Sequence, residues 1–77
     1  MGIDVIFFGV LADVTGTCRK HYTGVVSFDD LLHRVMDDFP EVIHYNFRLA
    51  LNNEIISGSP ALSDGDEVAY LPPFGGG

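Results

Sequence analysis

One cysteine, Cys18, and no tryptophan occur in the 77 residues. A lone cysteine excludes an internal disulfide and gives no reason to invoke an oxidising compartment, so a cytoplasmic protein is expected. Cations are also scarce: four Lys and Arg stand against eleven Asp and Glu, a formal net charge of −7. That sign is wrong for phosphate backbones and anionic lipid surfaces, which are gripped by clustered Lys and Arg. It suits a protein partner with a positive face. Neither nucleic acid nor a membrane is therefore an expected partner. No long apolar run is present, and Met1-Gly2-Ile3-Asp4 carries no basic segment, so neither a transmembrane helix nor a signal peptide is expected.

Chemistry-bearing motifs are missing as well. There is no G-x-x-x-x-G-K-S/T phosphate loop, and His21, His33 and His44 lack metal-ligand spacing. Asp64-Gly65-Asp66 departs from the calcium-loop pattern and reads as a turn, and Cys18 has no His or second Cys arranged beside it. The body of the chain thus offers no candidate catalytic centre and no candidate metal site.

What is present is a foldable pattern. A 47% hydrophobic composition in so short a chain makes one domain around one core. Ile3 to Phe8 reads as a central strand, apolar at both parities, and Val10 to Thr17 reads as a loop. Arg19 to Val26 supplies a second strand that folds back on the first. Ser27 is a helix N-cap, with Asp29 and Asp30 in the first turn where carboxylates favour the positive helix end. Phe28, Leu31, Leu32, Val35, Met36 and Phe39 then form one apolar stripe, and Pro40 ends the helix. After a loop over Glu41 to Asn46, Phe47 to Leu51 is a strand, Asn52-Asn53 turns it into a short piece around Ile55-Ile56, and Glu67 to Leu71 is the last strand.

This order is α+β: a mixed sheet of four to five strands with one main helix. One helix covers only one face of such a sheet. Ile6 and Phe8, together with Ile55 and Leu71, are candidates for the other face; either a partner protein docks there or loops fold over it. Phe8, Ile55 and Leu71 are taken as the partner-binding candidates.

The final segment, Pro72-Pro73-Phe74-Gly75-Gly76-Gly77, begins with two prolines and ends in three glycines, so it neither continues a helix nor makes a good strand. Residues 1–71 are read as the domain and 72–77 as a flexible tail, reaching roughly 20 Å at about 3.3 Å per residue. Glycines at its end would let the backbone enter a narrow channel and leave a terminal carboxylate unhindered.

Ser63-Asp64-Gly65-Asp66-Glu67-Val68-Ala69-Tyr70-Leu71-Pro72-Pro73-Phe74-Gly75-Gly76-Gly77 resembles the C-terminal signature of the MoaD/ThiS family of sulfur carriers, closest to the MoaD pattern of D-G-D-E-V-A followed by two hydrophobic residues, Pro-Pro and a final diglycine. More loosely, Phe7 to Gly16 resembles the family's F-A-x-L-R-E-x-x-G segment, and Leu51-Asn52 its hydrophobic-Asn pair. Ala12-Asp13 replaces the usual Arg-Glu, and Gly75 the usual small residue before the diglycine. The resemblance implies a β-grasp, ubiquitin-like fold and a site at Gly77, with Pro72, Pro73, Phe74, Gly75 and Gly76 inserting into a partner. It implies no bound cofactor: an E1-like, MoeB-like enzyme uses Mg-ATP to adenylate Gly77, a persulfide donor supplies sulfur, and a MoaE-like large subunit of molybdopterin synthase receives the thiocarboxylate. A ThiS-like thiazole donor and a ubiquitin-like protein modifier are the alternatives that the same features allow.

Overall fold

A computed structural model describes residues 1–73, and within them the elements follow from local sequence. Strand β1 (Ile3–Phe7) buries Ile3, Val5 and Phe7 on one face, while Asp4 and Ile6 point to the other. Gly9 then takes φ 57, ψ −134, a conformation that glycine adopts without a Cβ penalty, and the chain turns into helix α1 (Val10–Thr15). This six-residue helix replaces the expected loop. Leu11 anchors it in the core, Thr15 Oγ1 donates to the Leu11 carbonyl at 3.0 Å, and Gly16 closes it in the left-handed region with its N–H on the Ala12 carbonyl. The glycine that reads as a loop marker is a helix C-cap.

Strand β2 (Arg19–Tyr22) pairs antiparallel with β1 and is shorter than expected. It ends because the ladder slips by one residue at Gly24 (φ 67): Met1 and Val25 still exchange both backbone hydrogen bonds, each 2.9 Å, but one residue out of register with Ile3 and Tyr22. Arg34 holds that corner by donating to the Thr23 and Gly24 carbonyls at 2.6 and 2.8 Å.

Helix α2 (Phe28–Asp38) starts as its sequence requires. Ser27 Oγ accepts from the Asp30 N–H at 3.0 Å and Asp30 reaches back to the Val26 N–H at 3.1 Å. Phe28, Leu31 and Val35 are buried, and Leu32 and Phe39 pack half-buried against them. The last turn ends on Asp37 and Asp38, the unfavourable sign for a helix C-terminus. Two core-side residues of β2 compensate: Tyr22 Oη donates to Asp38 Oδ2 at 2.8 Å and Lys20 Nζ stands 3.3 Å from the same oxygen. These contacts hold the Asp38 carboxyl below its usual range, the Tyr22 hydrogen bond first and Lys20 second.

Pro40 does not open a loop but a 3-10 turn over Pro40–His44, which buries Val42. Strand β3 (Arg48–Leu51) follows, then β4 (Glu54–Ile55), joined through Asn52 and Asn53 at φ 49 and 72. Both central residues at positive φ define the tight hairpin turn that right-twisted strands favour, and Asn tolerates that region best after Gly. Strand β5 (Glu67–Leu71) runs between β1, to which it is parallel, and β3, to which it is antiparallel. The sheet order is β2-β1-β5-β3-β4, with α2 on the face carrying Ile3, Val5, Phe7, Val68 and Tyr70. Phe7 meets Phe39 edge-on at 5.4 Å and Tyr70 at 5.3 Å, so aromatic packing ties β1, β5 and the end of α2 together. Among the described residues no helix is long and apolar enough to cross a membrane.

Candidate functional site

Everything that leads to the tail is organised by β5, a central strand hydrogen-bonded on both edges. Its beginning is clamped. The Ser63–Asp66 turn, with Gly65 at φ 89, is closed by the Asp66 N–H on the Ser63 carbonyl at 3.0 Å and the Ser63 N–H on Asp66 Oδ2 at 2.8 Å. Asn52 spans the gap to it: its amide donates to Asp66 Oδ1 and its carbonyl oxygen accepts from the Glu67 N–H, both at 3.0 Å. The D-G-D part of the terminal motif, with the Asn of the hairpin, therefore serves to anchor the strand that delivers the tail.

At the other end β5 delivers Pro72 beside the end of β1. The Phe8 N–H extends the ladder to the Tyr70 carbonyl at 3.1 Å, and a Cβ placed on Gly9 would stand 3.0 Å from Pro72 Cγ. The root of the tail thus rests against the β1–α1 junction. Pro72 and Pro73 lie here; Phe74, Gly75, Gly76 and Gly77 lie outside the described residues.

The face of the sheet away from α2 forms the surroundings of this exit. Register places Ile6, Ala69, Ala50 and Ile55 in one row across β1, β5, β3 and β4. Leu71 is cross-strand from Arg48 in the next row. Phe8, just past β1, is 47% exposed, and Ile55 is 52% exposed, while Leu71 and Ile6 are half-buried. Among the described residues no loop buries the apolar row as a core, although Ala50, small and flanked on both sides, is only 4% exposed. The three partner-binding candidates are therefore placed across one side of the molecule, Leu71 at the tail and Ile55 at the sheet edge.

The β2 end of this face is charged, with Arg19 cross-strand from Ile6 and the pairs Asp4–His21 and Asp4–Glu67 in the next row. Asp4 accepts from His21 Nδ1 at 2.6 Å and from Arg19 Nη2 at 2.9 Å, and the same Arg19 nitrogen reaches Glu67 at 3.3 Å. The hydrogen bonds from His21 and then Arg19 hold the Asp4 carboxyl below its ordinary value. This cluster joins β2, β1 and β5, and Arg19 within it is held by two carboxylates. No group of three His, Cys, Asp or Glu among the described residues is placed to hold a metal ion. Cys18 is exposed, and its carbonyl serves the β1–β2 ladder by accepting from the Phe7 N–H at 3.0 Å.

Ile6 stands on this face as its sequence suggests, whereas Arg48 is not among the residues that sequence reasoning singles out. The signal for it is strand parity: Arg48 and Ala50 share one face because Leu49 and Leu51 take the other.

A mixed five-stranded sheet, one main helix across one face and a chain end leaving the central strand define a ubiquitin-like β-grasp protein. The chain belongs to the ThiS family, whose sequence pattern matches residues 5–77. Among solved structures it is similar to a chain of the protein–protein complex of subunits 1 and 2 of molybdopterin-converting factor from Helicobacter pylori, at 25% identity over 100% of both chains with a TM-score of 0.78. It is similar in fold to small archaeal modifier protein 1 from Methanosarcina acetivorans, at 23% identity over 99% of this chain and 96% of that one, TM-score 0.83. A putative molybdopterin-converting factor subunit 1 from Pyrococcus furiosus matches at 19% identity over 96% and 99% of the two chains, TM-score 0.81. Sulfur carriers of the ThiS/MoaD type and ubiquitin-like small modifiers thus share this architecture.

Proposed function

We propose that this protein is a sulfur carrier, acting as the small subunit of a molybdopterin synthase through the carboxyl group of Gly77. The observation that carries the reading is continuity: the family match runs from the β-grasp body through Pro72-Pro73 to Gly76-Gly77, and the body anchors both ends of the strand that leads there. Likeness to a chain of the H. pylori complex of subunits 1 and 2 supports the pterin pathway and a MoaE-like partner over a thiazole-forming one.

The chemistry requires activation, because a C-terminal carboxyl ordinarily ionises near pH ~3.5 and the resulting anion is a poor electrophile at neutral pH. A Gly77 oxygen attacks the α-phosphorus of Mg-ATP in an E1-like, MoeB-like enzyme; pyrophosphate leaves and an acyl adenylate forms. A persulfide sulfur then attacks the acyl carbon and AMP leaves. Thiolysis of the resulting S–S bond by a second thiol leaves the thiocarboxylate on Gly77 and a disulfide on the donor. The carrier supplies no acid or base to these steps; it supplies a carboxylate on a narrow backbone and the exposed face with Phe8, Ile55 and Leu71 against which the partner docks.

Intact mass after incubation with the E1-like enzyme, Mg-ATP and a persulfide donor tests this. The expected result is the gain of one oxygen-for-sulfur exchange in the full chain and none in a chain lacking Gly77. An unchanged mass with an enzyme shown to be active would overturn the carrier reading. A chain joined through Gly77 to a lysine of another protein would favour the modifier reading instead.

A further inference from the structure

Three of the four Lys and Arg side chains are committed within the fold. Arg19 is held by Asp4 and Glu67, Lys20 by Asp38, and Arg34 by Asp30 and two backbone carbonyls. Arg48 has no side-chain hydrogen bond or ion pair among the described residues, in a chain with eleven carboxylates. It lies on the same sheet face as the uncovered apolar row, cross-strand from Leu71, the last residue before the tail, and lines a groove of about 420 Å³ with Phe47, Leu49, Ile55, Ile56, Ser57 and Gly58; Arg19, the other cation on that face, is cross-strand from Ile6 and already paired.

We propose that Arg48 is the electrostatic anchor of the docking face and receives a carboxylate of the adenylating partner, set in an otherwise apolar patch beside the channel that admits the tail. The inference rests on the carrier reading and adds the partner's local chemistry to it. The physical argument has two scales. At long range the net charge of −7 draws a basic surface, without specifying orientation. At contact, a guanidinium amid apolar side chains is tolerated while water reaches it; a partner that covers it without an acceptor leaves a buried charge unpaired. An Arg fork meeting a carboxylate in two parallel hydrogen bonds satisfies that charge and fixes the rotation of the two proteins. Because Arg48 is registered against Leu71, fixing that rotation aims Pro72 and the residues after it. Arg19, on the same face at the β2 edge, has no such unmet charge, because Asp4 and Glu67 already accept from it.

The test uses the full chain with its E1-like enzyme and Mg-ATP, following pyrophosphate release against carrier concentration. Arg48→Gln is expected to raise KM about tenfold or more with kcat changed less than about twofold, and Arg48→Lys to raise it by an intermediate factor. His33→Glu, on α2 behind the sheet, also lowers the formal net charge by one and is expected to leave KM within about twofold. Thermal midpoints of the two Arg48 variants should match the parent, since Arg48 holds nothing in the fold, whereas His33→Glu, four residues from both Asp29 and Asp37, should lower its midpoint slightly. Equal KM values for Arg48→Gln and His33→Glu would overturn the proposal. So would faster adenylation of Arg48→Gln, which would mean that Arg48 restrains the chain's own C-terminal carboxylate. Failure of the carrier reading is distinct: the unsubstituted chain would not be adenylated at all.

Discussion

The side-chain amide of Asn52 donates to Asp66 Oδ1 at 3.0 Å, across the gap between the β3–β4 turn and the turn that opens β5. Fourteen residues separate the pair in sequence, and each is fixed by a second bond: Asn52 Oδ1 on the Glu67 N–H, Asp66 Oδ2 on the Ser63 N–H. The turn that closes the hairpin and the strand that carries the tail are thereby one unit.

Replacing Asn52 separates its two roles. Asn52→Gly keeps the positive φ of 49 and loses the side-chain bonds; Asn52→Ala loses the bonds and strains the turn. Urea unfolding should show Gly destabilising by about 1 kcal/mol and Ala by about 2 kcal/mol. Equal losses would mean that turn strain contributes nothing, and no loss in either would mean that the amide bonds are replaced by water.

Acid should loosen the same unit. The Asp66 carboxyl is held low by the Asn52 amide first and the Ser63 N–H second, and Asp4, Asp30 and Asp38 are lowered too. A carboxyl that is more acidic folded than unfolded gives stability that is complete above its unfolded value, 3.8, and is lost as pH falls through the folded one. The urea midpoint should therefore hold from pH ~7 to about 5 and fall below about 4, where unfolded carboxyls take up protons first. Asp66→Asn should lower the midpoint at neutral pH and flatten the acid fall. The Tyr22 and Tyr70 phenols, raised chiefly by burial, act in the opposite range: their contribution is full below pH 10 and is lost as pH rises beyond it.

Helix α2 should respond to its cap. Ser27→Ala removes the acceptor for the Asp30 N–H and is expected to cost about 1 kcal/mol, while Ser27→Asp should retain most of the stability. Thermal melts of the two variants check this; an alanine variant as stable as the parent would show that water replaces the Ser27 hydroxyl at the Asp30 N–H.

What the sequence discloses divides by range. Helix α2 is legible because cap, stripe and Pro40 are all local, and β5 because Glu67 to Leu71 alternates after a turn motif. Helix α1 is hidden: six residues are too few for a period to emerge, and Gly16 marks a helix end as readily as a loop. The early end of β2 depends on Gly24 slipping against Met1, and the 3-10 turn on Val42 finding the core. Exposure of Phe8 and Ile55 follows from counting helices against sheet faces. The state of Arg48 does not, because whether a cation is paired depends on carboxylates brought from afar; Arg19 and Glu67, 48 residues apart, are the example.

The uncovered face yields the last prediction. Ile55 is 52% exposed on an edge strand of two residues, so Ile55→Asp removes little buried area and should change folding stability by less than about 0.5 kcal/mol. If that face meets the adenylating partner, the same substitution places an unpaired carboxylate against an apolar patch and should slow sulfur acquisition at limiting carrier by about tenfold or more, an effect that saturating carrier overcomes. Leu71→Asp, nearer the tail and half-buried, should slow it further and lower the thermal midpoint as well. Val26→Asp is the comparison, since Val26 is exposed beside the first turn of α2 rather than on the outer sheet face. If Ile55→Asp and Val26→Asp slow sulfur acquisition equally, added negative charge alone accounts for the loss and the outer face is not where the partner docks.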